Sequence, residues 1–289
     1  MNECILVIDC GGTKCAWCAA TPARVRHRIV TAGFNASVTP AEQIEASVIE
    51  GAAALAAEGF SPAEIHFYGA GCGTDAARAN ITGCLSAAFP GTTVRANSDL
   101  LGAARALFGH TPGIACILGT GSNSALYDGH DLAVRIPALG WALGDEGSGA
   151  YLGRLLVVSI LRRTLPDAVI DAFQAEYNVT EADVIEAVYR RTGANAWLAS
   201  FAPFLSANLA VPKVKALVVK AFEAFRDASV ARYNAAAREL FPGLDKPLEL
   251  AVVGSVGTYF GGVLAEVMAP TPVRTLADPL EPLADFHCR

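Results

Sequence analysis

No block of lysines and arginines occurs in the 289 residues, and the formal net charge is -6. A nucleic-acid backbone or an anionic membrane surface demands the opposite sign, so neither is an expected partner. Long apolar runs are missing too: an uninterrupted aliphatic stretch such as Leu155 to Val158 falls far short of the roughly 18 residues a spanning helix needs. No membrane span is expected. The first residues hold no basic segment, and Asp9 interrupts the apolar run Cys4 to Ile8, so a secretory leader is not expected and the chain reads as cytoplasmic. Low-complexity segments and linkers are also absent. The 53% of hydrophobic residues suffices for a sizeable core, which leaves a small molecule as the expected partner.

The familiar nucleotide motifs are missing as well. There is no GxxxxGK[ST], and neither Gly69-Ala-Gly71-Cys-Gly73 nor Gly119-Thr-Gly121 completes a GxGxxG before a helix, which disfavours a P-loop NTPase and a dinucleotide fold. The eight cysteines (4, 10, 15, 18, 72, 84, 116, 288) are scattered through apolar, strand-like contexts and read as free thiols. Cys15 and Cys18 form the one CxxC, on an expected strand, where residues three apart point to opposite faces. The five histidines (27, 66, 110, 130, 287) lie outside every motif below and read as surface or satisfied residues.

What is present alternates. Apolar residues 4–9, the turn Cys10-Gly-Gly-Thr13 and apolar residues 16–20 read as strand, glycine turn and strand. A helix follows, with Thr39 as N-cap, Pro40 in its first turn, Glu42 closing a capping box, and Gly59 as stop; Ile44, Val48, Ala52 and Leu55 line one face. A strand at 65–68, a helix near 76–89, a strand at 93–96 and a helix opening at Ser98 or Asp99 complete an α/β half. The opening pattern then recurs as apolar residues 114–118, the turn Gly119-Thr-Gly-Ser122 and residues 123–127, which suggests a distant internal duplication. Helices are expected at 148–163, 167–177, 181–191 behind Thr180, 196–204 and about 213–240, then a strand at 248–253 that leads through Gly254-Ser-Val-Gly257 into a helix ending near Met268. The expected domains are 1–112, with the tail 270–289 packing back on it, and 113–269 with a helical insertion.

Four constellations carry chemistry. In Asp9-Cys-Gly11-Gly12-Thr13-Lys14 a strand ends in an acid before a tight turn; glycines let backbone N–H groups approach an anion, Thr13 and Lys14 suit phosphate oxygens, and Asp9 suits Mg²⁺ held through water. An ordinary hairpin turn would use the same residues. Gly119-Thr120-Gly121-Ser122-Asn123 is a second such turn. In Asn97-Ser98-Asp99 the carboxylate falls in a helix's first turn, where the macrodipole favours ionisation; an N-cap is the rival role, although Ser98 can fill it. Gly140-Trp-Ala-Leu-Gly-Asp145-Glu-Gly-Ser148 is a glycine-punctuated acidic turn running into a helix.

These residues, in this order and spacing from about residue 4 to 268, resemble the BadF/BadG/BcrA/BcrD ATPase family, and within it the N-acetylglucosamine kinases of the actin/Hsp70/sugar-kinase superfamily. The resemblance implies a two-lobed α/β, actin-like ATPase (ribonuclease H-like) fold with its active site in the interdomain cleft. It implies ATP and Mg²⁺, with Gly11, Gly12, Thr13, Lys14, Thr120, Gly121 and Gly254 on the nucleotide. Asp99 becomes the general base for a sugar hydroxyl, expected to be O6 of N-acetylglucosamine or a related amino sugar. Asn35, Ser122, Asn123, Gly140 and Asp145 line the sugar pocket in the same reading, although Asn35 also suits a plain loop. Cys15 stands where the family usually has Thr, and Ser255 where a second glycine is common. Trp141 does not align with the family's Trp, which falls nearer Leu139. An ATPase activator of a dehydratase or reductase is the enzymatic alternative, but only Cys288 follows Cys116, so the second half offers no cluster pair. A non-catalytic sugar sensor would not need Asp99. A homodimer is compatible with all of this.

Overall fold

A computed structural model describes residues 2–21 and 26–288. The chain divides into two compact units: one holds the chain up to Thr111, Gly129–Asp131 and the segment from Asp278 onward, the other Pro112–Asp128 and Leu132–Ala277.

In the first unit, β1 (Asn2–Cys10) turns through the glycines into β2 (Lys14–Ala20), and β3 (Arg26–Ala32) continues the antiparallel meander. Cys10 faces Cys15 across the first pair, so the ladder is closed up to the turn. α1 (Ala41–Ala57) carries the chain to β4 (Phe60–Gly69), parallel to β1, and α2 (Asp75–Ala88) carries it to β5 (Thr93–Ser98), parallel to β4. α3 (Asp99–Phe108) starts directly where β5 stops. Alternate residues Leu6, Ile8 and Cys10 of β1 join Trp17 of β2, Ile44 and Val48 of α1, and Ile81 and Leu85 of α2 in one core. A Cβ at Gly51 of α1 would stand 2.3 Å from the Trp17 ring, so the helix reaches the sheet only because that position is bare. Beneath α1, Trp17 Nε1 donates to Thr31 Oγ1 at 3.0 Å and Ser47 Oγ donates to the Ala32 carbonyl at 2.7 Å, which pairs the buried polar groups.

The second unit repeats this plan. β6 (Gly113–Leu118), β7 (Ser122–Tyr127) and β8 (Leu132–Arg135) form an antiparallel meander, and β9 (Leu250–Val253) and β10 (Val273–Leu276) add parallel strands beyond β6. The sheet orders, β3-β2-β1-β4-β5 and β8-β7-β6-β9-β10, have one topology, so the recurrence in the sequence extends to strand order. Between β8 and β9 lie α4 (Gly140–Leu143), α5 (Gly149–Leu161), α6 (Asp167–Tyr177), α7 (Glu181–Ile185), α8 (Ala194–Ala199), α9 (Ala202–Ala207), α10 (Pro212–Phe225) and α11 (Ala231–Leu240). α12 (Ser255–Met268) joins β9 to β10. α13 (Leu280–His287) belongs to the first unit, where it packs on α3, β1 and β2.

Two local expectations fail for identifiable reasons. Thr39 does not cap α1: its Oγ1 accepts the Asn35 N–H at 3.0 Å, and Pro40 occupies the cap position without a side-chain bond. The single helix expected at 196–204 is two helices, because Pro203 sits in the first turn of α9, where its ring and missing N–H are tolerated, and would break a continuous helix there. All eight cysteines are free. No helix among the described residues is long and apolar enough to cross a membrane.

Candidate functional site

In the first unit Gly11, Gly12, Thr13 and Lys14 are exposed at the tip of the β1–β2 hairpin, closed by Gly11 N–H donating to the Lys14 carbonyl at 2.9 Å. A Cβ at Gly12 would meet nothing within 4 Å, so the fold itself does not demand glycine there. Gly33 is the opposite case. Its N–H donates to the Thr13 carbonyl at 3.1 Å, and a Cβ would stand 2.2 Å from the Lys14 nitrogen and 2.3 Å from the Gly11 carbonyl oxygen. Gly33 therefore backs the turn.

The chain runs on from this contact into the Asn35 loop. Asn35 Oδ1 accepts the Ser37 N–H at 2.9 Å, a local Asx turn, and the left-handed Gly71 has no room for a Cβ because that oxygen would lie 2.2 Å away. The Ala36 N–H donates to the Ala70 carbonyl and the Ala70 N–H to the Cys10 carbonyl, both at 2.9 Å. Asn35 is thus clamped to the end of β1 through the β4–α2 turn.

Asp99 opens α3, with Ser98 as N-cap: Ser98 Oγ accepts the Leu101 N–H at 3.3 Å, while Asp99 Oδ1 accepts the Leu100 N–H at 2.8 Å. The capping role is filled by the serine, and the carboxylate stands beside it at the positive end of the helix. Asp9 feels it. Burial first, then the charges of Asp99 and Asp278, push the Asp9 carboxyl up to about 6, against the opposing pull of Lys14 and Arg28. Asp278 is itself paired, its Oδ2 with Arg28 at 2.6 Å and its Oδ1 accepting the Leu280 N–H at 3.0 Å. Although burial works the other way, those two partners hold it below the usual carboxylate range.

Three acids against two cations is an arrangement that a hydrated divalent cation would relieve. Asp9 is the acid of this group that could reach a hydrated cation through water; among the described residues no three His, Cys, Asp or Glu side chains stand together as a metal-binding group. The cation-free protein then carries a measurable cost. Because the folded-state pKa of Asp9, about 6, lies above the ordinary 3.8, the contribution of Asp9 to stability is greatest below pH 3.8, falls as the pH rises to 6, and stays lower above it. In metal-free buffer at pH 8, Asp9→Asn is expected to raise the unfolding midpoint, by the equivalent of at most about 3 kcal/mol, with the gain lost at pH 3.5. Calorimetry at the two pH values checks this, and equal midpoints at pH 8 would refute it.

In the second unit the β6–β7 turn is tied to α5. Gly149 N–H donates to the Gly119 carbonyl at 2.8 Å and Ala150 N–H to the Thr120 carbonyl at 3.1 Å, so orphan donors of the helix hold the turn, with Ser148 as side-chain cap. Gly254, at φ 118°, passes the same turn so closely that a Cβ would stand 2.4 Å from the Leu118 carbonyl oxygen. Asp145 meets the turn from another side. It is left-handed at φ 53° and 7% exposed, its N–H donates to the Ala138 carbonyl at 3.1 Å, and its carbonyl accepts the Ser148 N–H at 3.0 Å. Burial raises the Asp145 carboxyl, Glu146 adds to that, and the Ser122 N–H bonded to the carboxylate opposes them. A Cβ at Gly121 would sit 3.0 Å from Asp145 Oδ2. Ser122, whose N–H reaches this carboxylate, and Asn123 begin β7, while Gly140, exposed and at φ 74°, opens α4. Trp141 packs on the core of the unit.

A pocket of about 300 Å³ opens beside this turn, with Gly119, Thr120 and Gly149 on one side and Ser255, Val256 and Tyr259 on the other. Tyr259 is 58% exposed. No motif marks it in the sequence, although Ser255 and Tyr259 are four apart on α12 and share a face. Gly33, Arg28 and Asp278 are equally unmarked in the sequence. The glycine sits in a plain loop sequence, and Arg28 and Asp278 are 250 residues apart with no motif around either.

No family model matches the chain, and no curated protein matches it. Solved structures do. A candidate N-acetylglucosamine kinase of Porphyromonas gingivalis is 37% identical over 98% of both chains, with a TM-score of 0.88. A candidate N-acetylglucosamine kinase of Chromobacterium violaceum shares the fold at 21% identity, 99% coverage of both chains and a TM-score of 0.73. The ROK hexokinase of Thermus thermophilus shares it at 16% identity, covering 98% of this chain and 97% of its own, with a TM-score of 0.54.

Proposed function

The chain belongs to the sugar kinases of the actin-like ATPase superfamily, and on that premise we propose that it transfers the γ-phosphoryl group of ATP to the 6-hydroxyl of N-acetylglucosamine or a related amino sugar. The narrower placement among the BadF/BadG/BcrA/BcrD ATPases is part of the same proposal and rests on the order of the motifs. One observation carries the chemistry: Asp99 lies in the first turn of α3, where Ser98 supplies the cap and Asp99 Oδ1 accepts the Leu100 N–H, in the same unit as an exposed glycine hairpin and the acid Asp9.

In this reading the N–H groups of Gly11 and Gly12 approach the phosphates without a Cβ to hold them off, Thr13 adds a hydroxyl and Lys14 a positive charge. Thr120 and Gly121 do the same in the second unit, where Gly254 and the pocket beside Tyr259 receive the nucleoside. Asp9 would hold Mg²⁺ through water, and the ion would supply charge neutralisation at the phosphates. Asp99 takes the proton of the attacking hydroxyl; a weak base suffices, because the proton moves late in a loose transition state and most of the acceleration is positioning and charge neutralisation. Asp145, fixed by the Ser122 N–H, accepts sugar hydroxyls, as ionised carboxylates do strongly. Asn35, whose Oδ1 is occupied by Ser37, presents its amide as a donor. Ser122, Asn123 and Gly140 complete the sugar's surroundings.

The test is ADP release measured over a panel of hexoses and amino sugars, with the phosphate position of each product fixed by phosphorus–proton correlation NMR. Sugar-dependent release with an N-acetylated amino sugar as preferred acceptor and a 6-phosphate product is the expected result. ADP release that no sugar accelerates would overturn the kinase reading, and a product phosphorylated elsewhere would overturn the 6-hydroxyl.

A further inference from the structure

The pocket of about 300 Å³ beside the β6–β7 turn is short of groups that could recognise a ligand by hydrogen bonding. Past the turn, its lining comes from α12, with Val256 and Tyr259, and from the junction of α8 and α9, with Ala199, Ala202 and Pro203. Among the described residues that line it, none carries a charged or amide side chain. The side-chain polar groups are hydroxyls, those of Thr120, Ser200, Ser255 and Tyr259, and the Ser200 hydroxyl already donates to the Trp197 carbonyl at 2.7 Å.

The α8–α9 lining is made of short side chains, at the place where Pro203 makes the helix start anew. Its backbone offers little more: the Ser200 N–H donates to the Ala196 carbonyl at 3.0 Å, and Pro203 has no N–H. On α12 the contrast lies within one turn, since Val256 is buried in the core of the unit and Tyr259, three residues on, is 58% exposed. A half-exposed ring at the edge of a small apolar pocket is a surface on which a flat π system can stack. Such stacking strengthens the binding of a base by about 5- to 150-fold, and it tolerates every base because each has a π face.

We propose, on the premise of the kinase reading above, that Tyr259 holds the nucleotide by stacking on its base, and that the phosphoryl donor is any purine nucleoside triphosphate, GTP and ITP as well as ATP. Telling the purines apart requires a protein group that pairs with position 6, an amino donor in adenine and a carbonyl acceptor in guanine and hypoxanthine. A site built around such a bond rejects the wrong partner by about 10⁴–10⁵-fold, because its own polar groups are left buried and unpaired. A pocket that works through shape and apolar contact separates near-isosteres by only about 100-fold. The exposure of Tyr259 also brings solvent to the bound base, so either edge keeps water as a partner. The rival feature is the Ala199 carbonyl. Pro203, four residues on, cannot donate to it, and a bond to it from the 6-amino group of adenine would make the pocket selective.

The experiment measures release of the nucleoside diphosphate from ATP, GTP and ITP by the full chain, at a saturating concentration of the best acceptor sugar of the panel above. Titration calorimetry of each nucleotide without sugar runs beside it. The kcat/KM values for GTP and ITP are expected within about 100-fold of that for ATP. Tyr259→Ala is expected to raise KM for all three nucleotides by the same factor, about tenfold or more, without raising KM for the sugar. Tyr259→Phe keeps the stacking face and is expected to restore the nucleotide KM. A preference for ATP beyond about 100-fold would mean that the base edge is read, at the Ala199 carbonyl or elsewhere, and would overturn the inference while the kinase reading stands. An unchanged nucleotide KM in Tyr259→Ala would overturn it equally. Nucleotide binding without release that any sugar accelerates would sink the kinase reading instead, and the calorimetric affinities for ATP and GTP would still decide whether the pocket reads the base.

Discussion

Asp99→Asn is expected to lower kcat for sugar phosphorylation by about 10²–10⁴-fold while leaving ATP binding and the fold intact. The replacement is isosteric, and its oxygen can still accept the Leu100 N–H that Asp99 Oδ1 accepts at 2.8 Å. Ser98 continues to cap α3 through the Leu101 N–H. What disappears is the capacity to take a proton, together with one negative charge beside the helix N-terminus, worth about 0.3–1 kcal/mol of stability. Part of that loss is offset, because Asp99 is one of the charges that hold the Asp9 carboxyl up at about 6. The result therefore separates chemistry from folding. Single-turnover phosphorylation and ATP titration calorimetry on the same preparation check it, and a variant that phosphorylates sugar at the parent rate would remove Asp99 from the mechanism.

Gly33→Ala is expected to damage the hairpin from behind. Gly33 lies outside the left-handed region, so backbone strain is not the issue; space is. The added carbon would stand 2.2 Å from the Lys14 nitrogen, 2.3 Å from the Gly11 oxygen and 2.5 Å from the Thr13 carbonyl carbon, all of them backbone atoms that cannot rotate away. Either the hairpin tip moves or the Gly33–Thr13 hydrogen bond of 3.1 Å breaks. The expected cost is about 1–3 kcal/mol of stability, with ATP affinity reduced about tenfold or more if the N–H groups of the tip bind phosphate. Gly12→Ala is the control, since a Cβ there meets nothing within 4 Å: it should leave the unfolding midpoint unchanged and still weaken ATP binding. Equal ATP affinity in the parent and Gly33→Ala would show that the tip does not hold the nucleotide.

Much of this molecule is written locally. The two glycine hairpins, the Ser98 start of α3, the span of α6 at Asp167–Tyr177 and the Thr180 cap of α7 all follow from residues within a turn of one another. The recurrence of strand, glycine turn and strand also anticipated the shared topology of the two sheets. Edge elements were not legible. β3 reads Arg-His-Arg-Ile-Val-Thr-Ala and is a strand because β2 offers it a partner, not because its pattern is strongly apolar. β8 and β10 have four residues each, too few for periodicity to register, and α13 owes its place to packing on α3, β1 and β2.

The sequence by itself determined which residues could approach a phosphate or take a proton, because glycine turns and helix first turns are consequences of short-range backbone geometry. Only the tertiary structure decided what surrounds them. It brought Arg28 and Asp278 to within 2.6 Å of each other in the neighbourhood of Asp9, set Gly33 against the hairpin, turned Thr39 from a cap into a partner of Asn35, and opened a pocket beside Tyr259. Each of these is a contact between segments with no motif in common. Burial and Coulomb forces depend on distance in space, and no local pattern records which distant segment will supply the neighbour.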